Sequence, residues 1–198
     1  RVLRHLFKSG QRRQMSERDW LLRGMVCEGE LGQRNEGSGI VAGEWKLTLA
    51  IDVMARGTTI ALPFVEREAE WTATATLDGI PTTISWKSDG RGCEIQVIEP
   101  GTYDLAISFV PQITAAGERD TIELPVPQVV GARVSVRYPA PLAQLEATGA
   151  VPSSQSGSTR GVLVRELDGS GRLKIAWPRA DSPQDETQGL RVSELYWL

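Results

Sequence analysis

Histidine is almost missing from this chain of 198 residues, in which His5 is the only one. Histidine is the usual general base beside a serine or cysteine nucleophile, so such a site would depend on a residue near the N-terminus. No serine stands in a G-x-S-x-G motif, and neither C-x-x-C nor H-E-x-x-H occurs. The glycine-rich stretch 32–39 lacks a phosphate-binding lysine and dinucleotide-binding spacing. The sequence therefore predicts a chain that is not an enzyme and binds no cofactor.

Cysteine is also scarce, since Cys27 and Cys93 are the only two. We favour two free, buried thiols; the alternative is a disulfide, which would indicate an oxidising compartment. Trp45 lies between the two cysteines, as a core tryptophan does between an immunoglobulin-like pair. However, Arg91 stands where the tyrosine corner of that fold needs tyrosine.

Long apolar runs and a surplus of positive charge are absent as well. No run approaches the roughly 18 apolar residues of a membrane-spanning helix, and the formal net charge is −3. We therefore expect no nucleic-acid partner and no membrane span in this segment. The chain opens on Arg1 and stops within the apolar pattern of "RVSELYWL", which favours a piece of a longer protein. Together with the strand-rich pattern, this favours the bacterial cell envelope or the extracellular space.

Alternation with a period of two is the dominant pattern from residue 40 onward. In "PGTYDLAISFVPQ" (100–112), large apolar side chains alternate with small or polar ones, and residues 45–53 follow the same rule. Because successive side chains of a strand point to opposite faces, each stretch predicts a strand with one buried face. The residues that we expect in the core are Trp45, Leu47, Leu49, Ile51, Val53, Tyr103, Leu105, Ile107 and Phe109.

Three Asp-Gly pairs separate alternating runs, at 78–79, 89–90 and 168–169. Asp-Gly is a strong hairpin signal because a type I′ turn needs positive φ at both central residues. The sequence predicts an all-β protein, an antiparallel β-sandwich that is immunoglobulin-like in architecture.

Three segments differ in composition. Residues 1–24 form a basic connector, helical or irregular, in which Val2, Leu3, Leu6 and Phe7 have helical spacing and Ser16 is a candidate helix start. We favour a solvated connector over a patch for an acidic surface or anionic lipid headgroups. Residues 25–140 form the main sandwich. Residues 141–198 are a linker plus further strands, which add a hairpin or begin a second β-module.

Two parts of the main segment are similar to each other in sequence. "LTLAIDV" (47–53) and "TIALPF" (59–64) resemble "YDLAISF" (103–109) and "TIELPV" (121–126). Both places predict two strands joined by a loop. The alternatives are a duplicated unit and a chance match in strand-rich sequence.

Carboxylates offer weak candidate sites. If "VEREAE" is extended, Glu66, Glu68 and Glu70 share a face and could bind calcium or supply an acid and a base. We favour solvated side chains for this row and an ordinary polar loop for "DSPQDE" (181–186).

Tryptophan is the one abundant aromatic residue, with six in the chain. Trp45, Trp86 and Trp177 share a face with aliphatic residues of their strands, which favours core packing. Trp71 is the one candidate for contact with a glycan, and Trp197 lies at the end of the given sequence. The sequence favours a non-catalytic structural or protein-interaction module of a larger, exported bacterial protein. Its partners would be other domains of the parent chain or another envelope protein. The alternative is a carbohydrate-binding β-sandwich module.

Overall fold

Strands are the predominant secondary structure in the part of the chain that the computed structural model describes, which is residues 19–34, 39–72, 74–139, 142, 145–152 and 161–179. One 3-10 turn, Glu66–Glu68, interrupts them. Within these ranges, no helix is long and apolar enough to cross a membrane. The strands are β1 (Trp20–Gln33), β2 (Ile40–Ala42), β3 (Trp45–Val53), β4 (Thr58–Val65), β5 (Ala69–Trp71), β6 (Thr74–Leu77), β7 (Ile80–Thr83), β8 (Ser85–Trp86), β9 (Arg91–Val97), β10 (Gly101–Pro111), β11 (Thr114–Ala116), β12 (Arg119–Pro125), β13 (Arg133–Arg137), β14 (Glu146–Thr148), β15 (Ala150–Pro152), β16 (Val162–Leu167) and β17 (Arg172–Pro178).

Three sheets make up the architecture. The main sheet has ten strands, with β15-β16-β13-β1-β3-β10-β6-β7 in order and β2 and β5 paired to β1 and β10. A four-stranded sheet has the order β11-β12-β17-β14, and a three-stranded sheet the order β4-β9-β8. Of the described strand pairs, only β1 and β13 run parallel. The predicted all-β, antiparallel, sandwich-like fold is confirmed.

The three sheets share one apolar core. One buried cluster contains residues of all three sheets. They include Leu49, Leu105 and Val134 of the main sheet, Ile60 and Ile95 of the three-stranded sheet, and Ile122 and Ile175 of the four-stranded sheet. The predicted alternation of β3 and β10 is confirmed, because Trp45, Leu47, Leu49, Ile51, Val53, Leu105, Ile107 and Phe109 are buried and Tyr103 packs against them.

Two of the three predicted hairpins are present. β6 and β7 pair across Asp78 (φ 50°) and Gly79 (φ 79°), which supply the two positive φ angles that a type I′ turn requires. β8 and β9 pair across the loop that contains Asp89 and Gly90.

The hairpin predicted at Asp168-Gly169 is wrong. β16 pairs with β13 in the main sheet, whereas β17 pairs with β12 in the four-stranded sheet. The Asp168 carboxylate accepts the Ser170 N–H at 2.8 Å, a local turn that redirects the chain without pairing the strands it joins. An Asp-Gly signal reports a reversal of the backbone, while the sheet that each strand joins depends on distant residues.

Of the two boundaries expected from composition, one lies within a strand and the other between two paired strands. β1 begins at Trp20, so residues 20–24 are strand residues within the segment assigned to the connector, and Trp20 stands opposite Val53. Residues 1–18, with the candidate helix start at Ser16, lie outside the described residues. β16 and β17 pair with β13 and β12 of the main segment, and the division of the chain into domains stays a prediction.

The two similar segments are neighbours in space. β3 and β10 pair with each other. Leu49 stands opposite Leu105, and the two leucines occupy the same position in the similar stretches 47–53 and 103–109. β4 and β12, the second strands of the two units, also contact each other. The duplication of a strand-loop-strand unit stays a prediction, because antiparallel pairing alone does not distinguish it from a chance match.

Candidate functional site

The candidate site is the outer face of the main sheet, opposite the core. On β1, Met25, Cys27 and Leu31 are buried, so the residues between them point outward. The outward residues Val26, Glu28 and Glu30 stand opposite Arg133, Ser135 and Arg137 of β13.

Charges of opposite sign alternate across this face. Glu166 of β16 stands opposite Arg133, Glu30 opposite Arg137, and Glu28 opposite Lys46 of β3. Cross-strand neighbours of opposite charge stabilise a sheet weakly. Acidic and basic side chains are therefore neighbours across this face, and neither sign predominates among these residues.

Two open depressions of about 340 Å³ and 270 Å³ lie on this face and share Glu28 and Ser135. Small-molecule sites are usually lined mainly by apolar side chains around a few polar groups. Here the linings are largely charged or hydroxylated. The first depression is lined by Val26, Glu28, Gly131, Arg133, Ser135, Val164 and Glu166, and the second by Glu28, Gly29, Glu30, Glu44, Trp45, Lys46, Ser108, Ser135 and Arg137.

Gly29 of β1 lines the second depression, and on the core side of the strand its backbone packs against Trp45. A Cβ at this position would lie 2.2 Å from an indole carbon of Trp45, which is fully buried. The Trp45 Nε1 donates to the Glu30 carbonyl oxygen at 3.3 Å and fixes the ring there. Glycine is therefore the residue that leaves room for the Trp45 ring against β1.

The sequence analysis did not identify β1, and so it missed Glu28 and Glu30. The signal was present, because Met25, Cys27 and Leu31 alternate with Val26, Glu28 and Glu30. Gly24, Gly29 and Gly32 obscured it, since glycine is depleted in strands.

Both cysteines are free and buried in the core. Burial, and secondarily the neighbouring Glu28, raises the pKa of the Cys27 thiol to about 12, and burial with Glu94 does the same for Cys93. Reactive cysteines instead have a lowered pKa and partial exposure. Neither thiol is suited to act as a nucleophile.

We expect native protein at neutral pH to leave Cys27 and Cys93 unalkylated by iodoacetamide, because both are buried and protonated. Unfolding in urea without reductant should expose both to labelling, which mass spectrometry would count. Absence of label in urea would reveal a disulfide, and rapid label in native protein would contradict the burial.

The row of carboxylates at 66–70 is not extended. The 3-10 turn Glu66–Glu68 breaks the alternation and brings Glu68 to Arg172, with Oε1 3.3 Å from the guanidinium. Arg172 also contacts Glu123 at 3.6 Å, and Lys174 contacts Glu123 at 2.8 Å. Among the described residues, no three His, Cys, Asp or Glu side chains are grouped to hold a metal ion. The stretch 181–186 lies outside them.

The hydrogen bond from Lys174, and then the charges of Lys174 and Arg172, hold the pKa of Glu123 below its ordinary value of 4.5. A carboxyl whose pKa is lowered by folding stabilises the fold above its unfolded pKa, and this stabilisation is lost as the pH falls. Glu123→Gln should therefore lower the melting temperature slightly at neutral pH but not well below 4.5. The exposed Glu70→Gln is the control. An equal loss at both pH values would contradict this role.

The aromatic residues form part of the core. Trp45 and Trp177 are buried, and Trp86 packs against the core with part of its surface exposed. The Trp71 ring lies 4.7 Å from that of Phe109 and 5.5 Å from that of Trp86, and its Nε1 donates to the Val65 carbonyl oxygen at 3.1 Å. This packing favours a structural role. Contact of Trp71 with a glycan stays a prediction, and Trp197 lies outside the described residues.

The described structure defines a β-sandwich with an apolar interior and a charge-balanced outer face. No protein-family model matches the chain, and no curated protein matches its sequence. It is similar in fold to yeast LTA4 hydrolase bound to bestatin, with a TM-score of 0.51 and 11% identity over 81% of this chain and 29% of that one.

Two further solved structures are native yeast LTA4 hydrolase and an M1 zinc metallopeptidase from Deinococcus radiodurans. The first has a TM-score of 0.47 and 10% identity over 81% of this chain and 29% of that one. The second has a TM-score of 0.49 and 13% identity, and the match covers 81% of this chain and 42% of that one. The chain thus spans less than half the length of these proteins.

Proposed function

We propose that this chain is a non-catalytic β-sandwich module of a larger protein, which serves as a structural or protein-interaction part and has other parts of that protein as its partners. The observation that carries the proposal is the composition of the interior. Among the described residues, only two buried side chains belong to polar residue types, Thr58 and Thr121. The Thr58 hydroxyl donates to the Ala55 carbonyl oxygen at 2.7 Å, and the Thr121 hydroxyl lies 3.0 Å from that of Thr114.

Catalytic groups characteristically sit in a cleft with a perturbed pKa and a charged or hydrogen-bonded partner. In the described residues, the strongly raised pKa values belong to the two core thiols, whose surroundings are apolar. The depressions on the outer face hold Glu, Arg, Lys and Ser side chains on an open surface. These features favour a scaffold over a reaction centre.

The likeness to the yeast hydrolase supports the modular part of the proposal. A fold of this kind makes up 29% of that longer chain, so it occurs elsewhere as one part of a larger protein. A fold does not carry an activity with it.

A turnover assay of the purified 198-residue protein tests the proposal. Aminoacyl p-nitroanilides, p-nitrophenyl esters and p-nitrophenyl glycosides would be offered with and without added zinc. We expect no product above the rate in buffer. The double variant Glu28→Gln/Glu30→Gln is the matched control, because it neutralises the carboxylates of the outer face. Turnover that follows the protein through a further chromatographic step would contradict the proposal, and its loss in this variant would assign it to the outer face.

A further inference from the structure

Charged side chains without an ion-pair partner lie together on the outer face of the main sheet. Glu28, Glu30 and Arg137 are exposed, and none of them forms an ion pair with another described residue. The four-stranded sheet differs, because every charged side chain of β12 and β17 takes part in an ion pair there. The charges on the main sheet therefore remain available to a partner.

A partner of this face must carry charges of both signs. The linings of the two depressions contain acidic and basic side chains in nearly equal number, which are Glu28, Glu30, Glu44 and Glu166 against Lys46, Arg133 and Arg137. A nucleic acid would be repelled by the first group and a polybasic segment by the second. The face therefore fits a folded surface on which acidic and basic side chains alternate.

The two signs are separated onto neighbouring strands at the centre of the face. β1 presents Glu28 and Glu30 outward, and β13 presents Arg133 and Arg137. The strands are parallel and in register, with Glu30 beside Arg137. A two-fold axis that runs between these strands, parallel to them, would exchange them in two facing copies of the chain. The acidic strand of each copy would then lie over the basic strand of the other.

The register of the sheet gives the contacts across such an axis. Glu30 of each copy faces Arg137 of the other, which makes two symmetric pairs of opposite charge. Glu28 faces Ser135, the short side chain that both depressions share. Glu44 precedes β3 at the edge of the contact. The remaining charged side chains meet uncharged ones, since Arg133 faces Val26, Lys46 faces Val164 and Glu166 faces Thr48.

We propose that the outer face of the main sheet binds the same face of a second copy of this chain, about a two-fold axis between β1 and β13. Two-fold dimers are the commonest symmetric assemblies of soluble proteins, and each uses one self-complementary surface twice. The contact goes beyond the role of the chain as a module of a larger protein, and that role does not depend on it.

The size of the contact indicates a weak dimer. The charged rows on β16, β13, β1 and β3 span about 20 Å by 15 Å, whereas each partner of a stable complex buries roughly 800 Å². Such a contact is transient and depends on charge, so we expect a dissociation constant of about 100 µM at low salt.

Charge reversal in the 198-residue protein tests the proposal. Glu30→Arg and Arg137→Glu each place like charges opposite each other in their own dimer, and we expect each to weaken association by about tenfold or more. An equimolar mixture of the two variants regains two pairs of opposite charge and should associate as the wild type does. Arg67→Glu is the control, because Arg67 is exposed in the 3-10 turn outside the contact. Sedimentation equilibrium measures the association constants.

The outcomes separate this partner from others. A wild-type protein that stays monomeric up to about 1 mM would overturn the proposal and leave the face to another part of the parent chain. A dimer that neither reversal weakens would place the contact elsewhere, and a mixture that does not regain association would contradict the two-fold axis; either result overturns the proposal. As a second readout on the wild type, added salt should weaken the dimer, and a dimer that salt strengthens would contradict the charge pairing.

Discussion

Leu105→Ala is expected to reduce the free energy of unfolding by about 2 to 5 kcal/mol, the range for emptying a buried leucine site. Leu105 is fully buried and is paired on both sides, with Leu49 of β3 and Leu77 of β6. The space left by the deleted atoms cannot be closed by backbone that is held in two ladders. Urea unfolding followed by tryptophan fluorescence measures the change.

The control for Leu105 lies on the other face of the same strand. Ser108 points outward and stands opposite Lys46, so Ser108→Ala should change the free energy of unfolding by no more than about 0.5 kcal/mol. Similar losses for the two substitutions would contradict the assignment of one face of β10 to the core.

Gly29→Ala is expected to destabilise the fold by about 3 kcal/mol, the upper part of the range for overpacking a core. The new Cβ would meet the Trp45 ring at 2.2 Å, and that ring is fully buried and cannot move into solvent. In a protein of this size, such a loss lowers the melting temperature by about 6 to 12 °C. Thermal unfolding followed by circular dichroism measures it.

Gly24 provides a matched control in the same strand, because a Cβ there would have no heavy atom within 4 Å. Gly24→Ala should leave the melting temperature nearly unchanged. A double-mutant cycle identifies the cause: with Trp45→Leu already present, Gly29→Ala should lose much of its effect, since the clashing ring is gone. A full penalty in that background would show that the ring is not responsible.

The sequence was sufficient for features that local pattern determines. The alternation at 45–53 and 100–112 identified the strands and the buried face of each, because burial of one face requires a period of two. The Asp-Gly pairs at 78–79 and 89–90 identified two hairpins, because positive φ at such residues is a local property.

Other features depended on contacts between distant residues. Asp168-Gly169 has the same local signal, but β16 and β17 join different sheets through β13 and β12. The alternation at 66–70 was broken by a 3-10 turn that brings Glu68 to Arg172, far away in sequence. β1 was missed since its glycines weaken the strand signal, and with it the carboxylates of the outer face. The core role of Trp45 and Trp177 could be predicted, whereas the packing of Trp71 against Phe109 required the fold.

The strands before residue 140 and those after 160 are built on one apolar core, so we expect them to unfold as one unit. Scanning calorimetry of the 198-residue protein tests this most directly. We expect a single transition whose calorimetric and van't Hoff enthalpies agree, since β16 and β17 pair with β13 and β12 and cannot unfold independently. Two resolved transitions, or a calorimetric enthalpy well above the van't Hoff value, would contradict it.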